Sequence, residues 1–152
     1  MSTYTQIIYQ IVFSTKYREA TLINKNRKEL FKYIWGVLEN KKCHLYQIGG
    51  VEDHIHIVTH LHPSVALSSL IKDIKLASTE NIKERNLFPK FNGWQDGYGA
   101  LTFGTRAMPD VLSYVRNQKE HHRQQTTRAP FERMTEESDG VQIVPDDLAA
   151  GR

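Results

Sequence analysis

The sequence predicts an α+β domain of the ferredoxin-like split βαβ kind, with an additional C-terminal helix covering the open sheet face. Three observations carry that expectation. Segments rich in β-branched and aromatic residues are separated by segments whose apolar residues recur every three or four positions. They run strand, helix, strand, strand, helix, strand, then helix, and the first six match β-α-β-β-α-β. In the third strand the apolar residues and the histidines sort onto opposite faces, so both sides of the sheet have something to meet.

Tyr4 to Thr15 reads as the first strand and ends at the charged turn Lys16-Tyr17-Arg18-Glu19. Residues 24–41 read as a helix, with Leu30, Phe31, Ile34, Trp35 and Leu38 on one stripe and Asn24 as its cap. Cys43 to Ile48 is the second strand, Gly49 to Asp53 a hairpin connection, and His54 to Leu61 the third strand. Ile55, Ile57, Thr59 and Leu61 fall on one of its faces; His54, His56, Val58 and His60 fall on the other. Pro63-Ser64 opens a second helix running to about Arg85, with Ser64 as cap. Its core stripe is Leu67, Leu70, Ile71 and Ile74, and a polar stripe holds Lys72, Lys75, Thr79 and Lys83. A loop with Pro89, Gly93 and Gly97 leads to a fourth strand, Tyr98 to Gly104. Pro109 suits the first turn of a last helix that runs to about Gln125. Two crossover helices cover one face of such a sheet, so Ile55, Ile57 and Leu61 should meet them and the histidines should meet the last helix.

The chain has 152 residues, 39% of them hydrophobic, enough for one domain with its own core. No apolar run approaches the ~18–20 residues a membrane helix needs, and the start lacks a signal-peptide pattern. The single cysteine, Cys43, excludes an internal disulfide and a multi-cysteine zinc site. The expected setting is cytoplasmic. Residues 131–152 carry a net charge of −4 and residues 1–130 carry +7. A basic body suggests a polyanionic partner. The expected division is a domain over 1–128 and an acidic tail over 129–152, either flexible or a short docking segment.

His54-Ile55-His56 places two imidazoles on one strand face, about 6.5–7 Å apart along the backbone, able to converge on one metal ion. A third ligand must come from elsewhere. Tyr114 and Gln118 are at i and i+4 of the last helix and share a face. If that helix crosses the open face, Gln118 reaches the ion and Tyr114 sits beside it.

His-hydrophobic-His followed by Tyr-x-x-x-Gln on a later helix resembles the HUH endonucleases, and most of all the single-tyrosine transposases of the insertion-sequence-200-like family. Further stretches resemble that family in the same order: Ile11-Val12-Phe13-Ser14-Thr15-Lys16-Tyr17-Arg18, Asp53-His54-Ile55-His56-Ile57, Ile71-Lys72-Asp73-Ile74-Lys75, Gly93-Trp94-Gln95-Asp96-Gly97-Tyr98-Gly99-Ala100, and Tyr114-Val115-Arg116-Asn117-Gln118 with Glu120-His121-His122. The resemblance spans roughly residues 4–125 and implies cleavage and rejoining of single-stranded DNA at insertion-element ends. It implies a 5′-phosphotyrosine on Tyr114 and a divalent ion, Mg2+ or Mn2+, on His54, His56 and Gln118. It implies hairpin-forming DNA ends as partner, in the cytoplasm with the nucleoid. It also implies a homodimer in which the tyrosine helix of one subunit can serve the histidines of the other.

Other residues have supporting readings. Asp53 either orients a histidine ring or makes the turn, and His122, at i+4 from Gln118, is a second candidate for support. Lys16 and Arg18 are candidates for phosphate contact, Lys72, Lys75 and Lys83 for tracking a backbone, and Trp94 and Tyr98 for stacking on bases or closing the core. Two alternatives use the same fold. One is a non-transposing HUH nuclease acting on genomic hairpins or replication origins. The other is a non-enzymatic nucleic-acid module, which the histidines in place of central-strand aromatics argue against.

Overall fold

A computed structural model describes residues 2–116 and 142–143. Its strands are β1 (Ile8–Ser14), β2 (His44–Gly50), β3 (His54–His60), β4 (Gly99–Phe103) and a two-residue β5 (Gln142–Ile143). Its helices are α1 (Asn24–Asn40), α2 (Leu67–Arg85) and α3 (Met108–Arg116). The sheet order is β4-β1-β3-β2-β5, and every neighbouring pair is antiparallel. The first four strands with α1 and α2 make the expected split βαβ arrangement.

The period-two pattern decides which way each strand faces. Ile11 and Phe13 of β1, Leu45 and Ile48 of β2, and Ile55 and Ile57 of β3 join one buried cluster. Leu30, Phe31, Ile34 and Leu38 of α1 and Leu70, Ile71 and Ile74 of α2 complete it. The opposite set of β1 and β3, with Val12 opposite His56 and Ser14 opposite His54, forms the second face.

Several boundaries differ from expectation, each for a physical reason. β1 begins at Ile8 rather than Tyr4, because its ladders to β3 and β4 both begin there; Tyr4 is 80% exposed. Asn24 is the first helical residue, and Ile23 caps α1 without a side-chain bond. Cys43 is buried in the connection before β2, its N–H bonded to Leu38 O at 2.9 Å. Gly49 and Gly50 belong to β2, leaving Val51-Glu52-Asp53 as the connection. At Gly50 a Cβ would lie 2.5 Å from His54 O and 2.9 Å from Ile55 Cα, so only glycine lets the two strands approach this closely. α2 starts at Leu67, not Pro63: the Ser64 N–H donates to His62 Nδ1 at 3.1 Å, and the Ser64 hydroxyl bonds the same nitrogen rather than capping the helix.

After β4 the chain makes a 3-10 turn, Thr105–Ala107, and enters α3, with Pro109 in its first turn. The second half of the helix expected to cover the second face, with Gln118 and His122, lies outside the described residues. Within the acidic end, Ile143 pairs with Ile48 and Gln142 with Gly49.

Candidate active site

The second face of the sheet carries the histidines. β3 is hydrogen-bonded to β1 on one side and β2 on the other, so His56 stands between Val12 and Gly49 with its backbone fixed from both edges. His54 and His56 are 2% and 0% exposed. Burial, and secondarily the charge of His54, push the His56 imidazole down to about 3 from an ordinary 6.5. At neutral pH the ring is therefore uncharged, which is the metal-binding form.

His54 opens the strand directly after the hairpin, and the hairpin supplies its partner. Asp53 Oδ1 lies 2.7 Å from His54 Nδ1. Burial alone would raise the Asp53 carboxyl. The hydrogen bond to His54, the charge of His54 and the Arg18 guanidinium at 3.4 Å outweigh that, and it titrates below its usual 3.8. An ionised carboxylate only accepts, so Nδ1 donates to it and Nε2 is the ring nitrogen left for another partner. That Nε2 is buried and has no hydrogen-bond partner among the described residues. A buried imidazole nitrogen, turned outward by a carboxylate on its far side, fits a divalent cation. Among the described residues no three His, Cys, Asp or Glu side chains converge, so His54 and His56 would need a ligand from beyond them.

The turn behind the site is tied in three directions. Thr15 N–H donates to Asp53 O at 2.8 Å and its hydroxyl to Glu19 O at 2.7 Å. Lys16 N–H donates to Gly93 O, and Tyr17 N–H to Gln95 Oε1, both at 2.9 Å. These bonds hold Tyr17 and Arg18 at φ 58° and 54°, a left-handed conformation non-glycine residues adopt at a cost. Arg18 thereby stands over Asp53, and Lys16 lies exposed on the same turn.

The remaining expected contacts separate. Lys75 is half-buried, and its Nζ donates to Gln95 O at 2.8 Å and Gly97 O at 2.7 Å, clamping the 95–97 segment to α2. Burial lowers its pKa, with the charge of Asp96 acting the other way. Trp94 packs edge-on to Phe13 and Phe91, each at 5.0 Å, and donates from Nε1 to Ser78 Oγ at 2.9 Å. Lys72 and Lys83 are exposed on α2, and Tyr98 is 43% exposed just before β4. Tyr114 stands on α3, downstream of β4.

Two buried amides on the histidine face escaped the sequence reading. Gln10 of β1 and Gln47 of β2 both pair with Val58, two residues along β3 from His56. Gln10 Nε2 is buried without a hydrogen-bond partner among the described residues. The available signal was a lone amide between Ile8 and Val12 in an otherwise apolar alternation.

Residues 3–118 match the model of a family described as "Transposase IS200 like". The chain is 26% identical over 117 residues to the transposase for insertion sequence element IS200 of Salmonella typhimurium, covering 74% of this chain and 76% of that protein. The same figures hold for the Salmonella typhi protein of that name. A crystal structure of a candidate transposase from Deinococcus radiodurans R1 superposes with TM-score 0.61 at 20% identity, over 78% of this chain and 95% of that one. A REP-associated tyrosine transposase bound to a REP hairpin superposes with TM-score 0.59 at 18% identity, over 80% and 74% of the two chains. At those identities the two structures speak for the fold.

Proposed function

The chain belongs to the IS200-like transposase family, and from that premise we propose that it cleaves and rejoins single-stranded DNA through a 5′-phosphotyrosine on Tyr114. His54, His56 and Gln118 would hold a divalent cation. The observation that carries this reading is the Asp53–His54 pair, which leaves a buried imidazole nitrogen presented beside a second, neutral imidazole on one sheet face. When bound, the ion neutralises charge on the scissile phosphate and polarises it for in-line attack. Imidazole ligation favours Mn2+ over Mg2+.

The chain's own groups do the rest. The Tyr114 oxygen attacks phosphorus and loses its proton; the P–O3′ bond breaks and the departing 3′ oxygen gains one. The phosphotyrosine conserves the bond energy, so a 3′-OH rejoins the strand by the reverse displacement. Lys16 and Arg18, exposed on the turn beside Asp53, would meet neighbouring phosphates. The substrate class is a hairpin-forming single strand. Two copies would work together, with the Thr105–Ala107 turn as the link across which α3 reaches its own or its partner's histidines. Residues 1–128 would form the working domain and 129–152 the acidic tail.

The test incubates the protein with hairpin-bearing single-stranded DNA and Mn2+. A covalent protein–DNA adduct is expected with the native chain and not with Tyr114→Phe. An identical adduct from both proteins would remove Tyr114 from the reaction.

A further inference from the structure

Four of the residues singled out for DNA contact, Lys72, Lys75, Trp94 and Tyr98, come from two separate segments. The fold brings them around one cavity of about 380 Å³, between α2 and residues 94–98. We infer that this cavity takes one unstacked nucleotide of the DNA strand and prefers a base with an exocyclic amino group to thymine. The inference rests on the DNA-cleaving reading and names a contact which that reading does not.

The lining sorts by chemistry. Ile71, Leu76 and Tyr98 give apolar walls, and Leu76 and Tyr98 remain 61% and 43% exposed. An aromatic and an aliphatic side chain left open at a cavity mouth suit the face of a base. Lys72 lines the same cavity and makes no ion pair among the described residues, which leaves its ammonium available to a phosphate. Lys75 is committed elsewhere: its two bonds to the Gln95 and Gly97 carbonyls brace the wall. Gln95 is committed too, its Oε1 accepting from Tyr17 N–H. The charged group left to read a base edge is Asp96. A carboxylate accepts hydrogen bonds and repels acceptors. It therefore favours the amino groups of cytosine, adenine and guanine over thymine, whose single N3–H donor stands between two carbonyl oxygens that a carboxylate repels.

The cavity is also tied to the histidine end of the sheet. Trp94 bridges to Thr15, and Gln95 N–H donates to Ser14 O at 2.9 Å, while Ser14 stands opposite His54 in the sheet. The histidines and the cavity thus flank the same end of the sheet on its two faces, with the Lys16–Arg18 turn between them.

The test measures the affinity of the full chain for short oligo-dC, oligo-dA and oligo-dT. The native protein should bind dC and dA about tenfold more tightly than dT. Asp96→Asn, whose amide both donates and accepts, should narrow that ratio to about threefold or less. Tyr98→Ala should weaken all three by about tenfold. Lys72→Ala should lower the salt-dependence slope by about 1, and Lys28→Ala, on the exposed side of α1, should leave it unchanged. Equal affinities in the native chain, or a preference that survives Asp96→Asn, would overturn the inference. The Tyr114-dependent adduct is scored separately: equal affinities with an intact adduct sink only the cavity, and a missing adduct with an Asp96-dependent preference sinks only the cleavage chemistry.

Discussion

Truncating Asp53 to alanine separates a side chain that merely turns the chain from one that sets a ligand. The carboxylate is 2.7 Å from His54 Nδ1, and the imidazole is 2% exposed. Its removal leaves a buried N–H without an acceptor, a loss of about 1–3 kcal/mol. At about 2–4 °C per kcal/mol for a chain of this size, the melting temperature should fall by several degrees. The Arg18 contact, 3.4 Å long and 47% exposed on the arginine side, adds little. The hairpin itself should persist, because Thr15 N–H and Oγ1 bond the main-chain oxygen of Asp53 at 2.8 and 3.2 Å. Freed of its carboxylate, the ring loses its fixed tautomer and orientation, which typically weakens metal affinity by about 10–100-fold. Calorimetric titration with Mn2+ reads that loss directly, and a urea melt of the same sample reads the stability. Asp53→Asn keeps the shape and an acceptor without the charge, and should fall between the two. Mn2+ affinity in Asp53→Ala within about twofold of the native value would refute the reasoning and return Asp53 to a turn residue.

Further outcomes follow from the same face of the sheet. His56 is held near 3 when folded against 6.5 when unfolded, so the unfolded chain takes the proton first. Its contribution is complete above pH 6.5 and is lost as pH falls toward 3, at about 1.4 kcal/mol per unit. Urea denaturation at about pH 5 should therefore give a stability about 2 kcal/mol below that at neutral pH, whereas equal stabilities would contradict a buried neutral imidazole. Gly50→Ala should cost about 1–3 kcal/mol by thermal melting, since its Cβ meets the His54 and Ile55 backbone rather than a flexible side chain. Adduct formation should drop with it, because the hairpin that must shift carries Asp53 and His54; an unchanged melt would show that the strands can part without penalty.

Much of the architecture was legible because β3 writes its two faces in two chemistries. Ile55 and Ile57 could only be core, and that placed His54 and His56 opposite them. The helix stripes were equally explicit: Leu30, Ile34 and Leu38, and Leu70, Ile71 and Ile74, are all buried. What failed was punctuation. Gly49-Gly50 reads as a turn in isolation, and only the approach of His54 O shows why a strand needs glycine there. Ser64 has the right chemistry for a cap but bonds His62 instead. The role of Lys75 was hidden for a different reason. Helical spacing put it on a stripe with Lys72, yet the 95–97 carbonyls that occupy it arrive from twenty residues downstream, and local pattern carries no record of such meetings.

Because β3 is laddered on both edges, its phase is also the protein's polarity. Displacing that strand by one residue would swing Ile55 and Ile57 outward and bury the imidazoles among the helices. One added or deleted codon within His54–His60 would thus destroy chemistry and folding together, while every amino acid around it stayed the same.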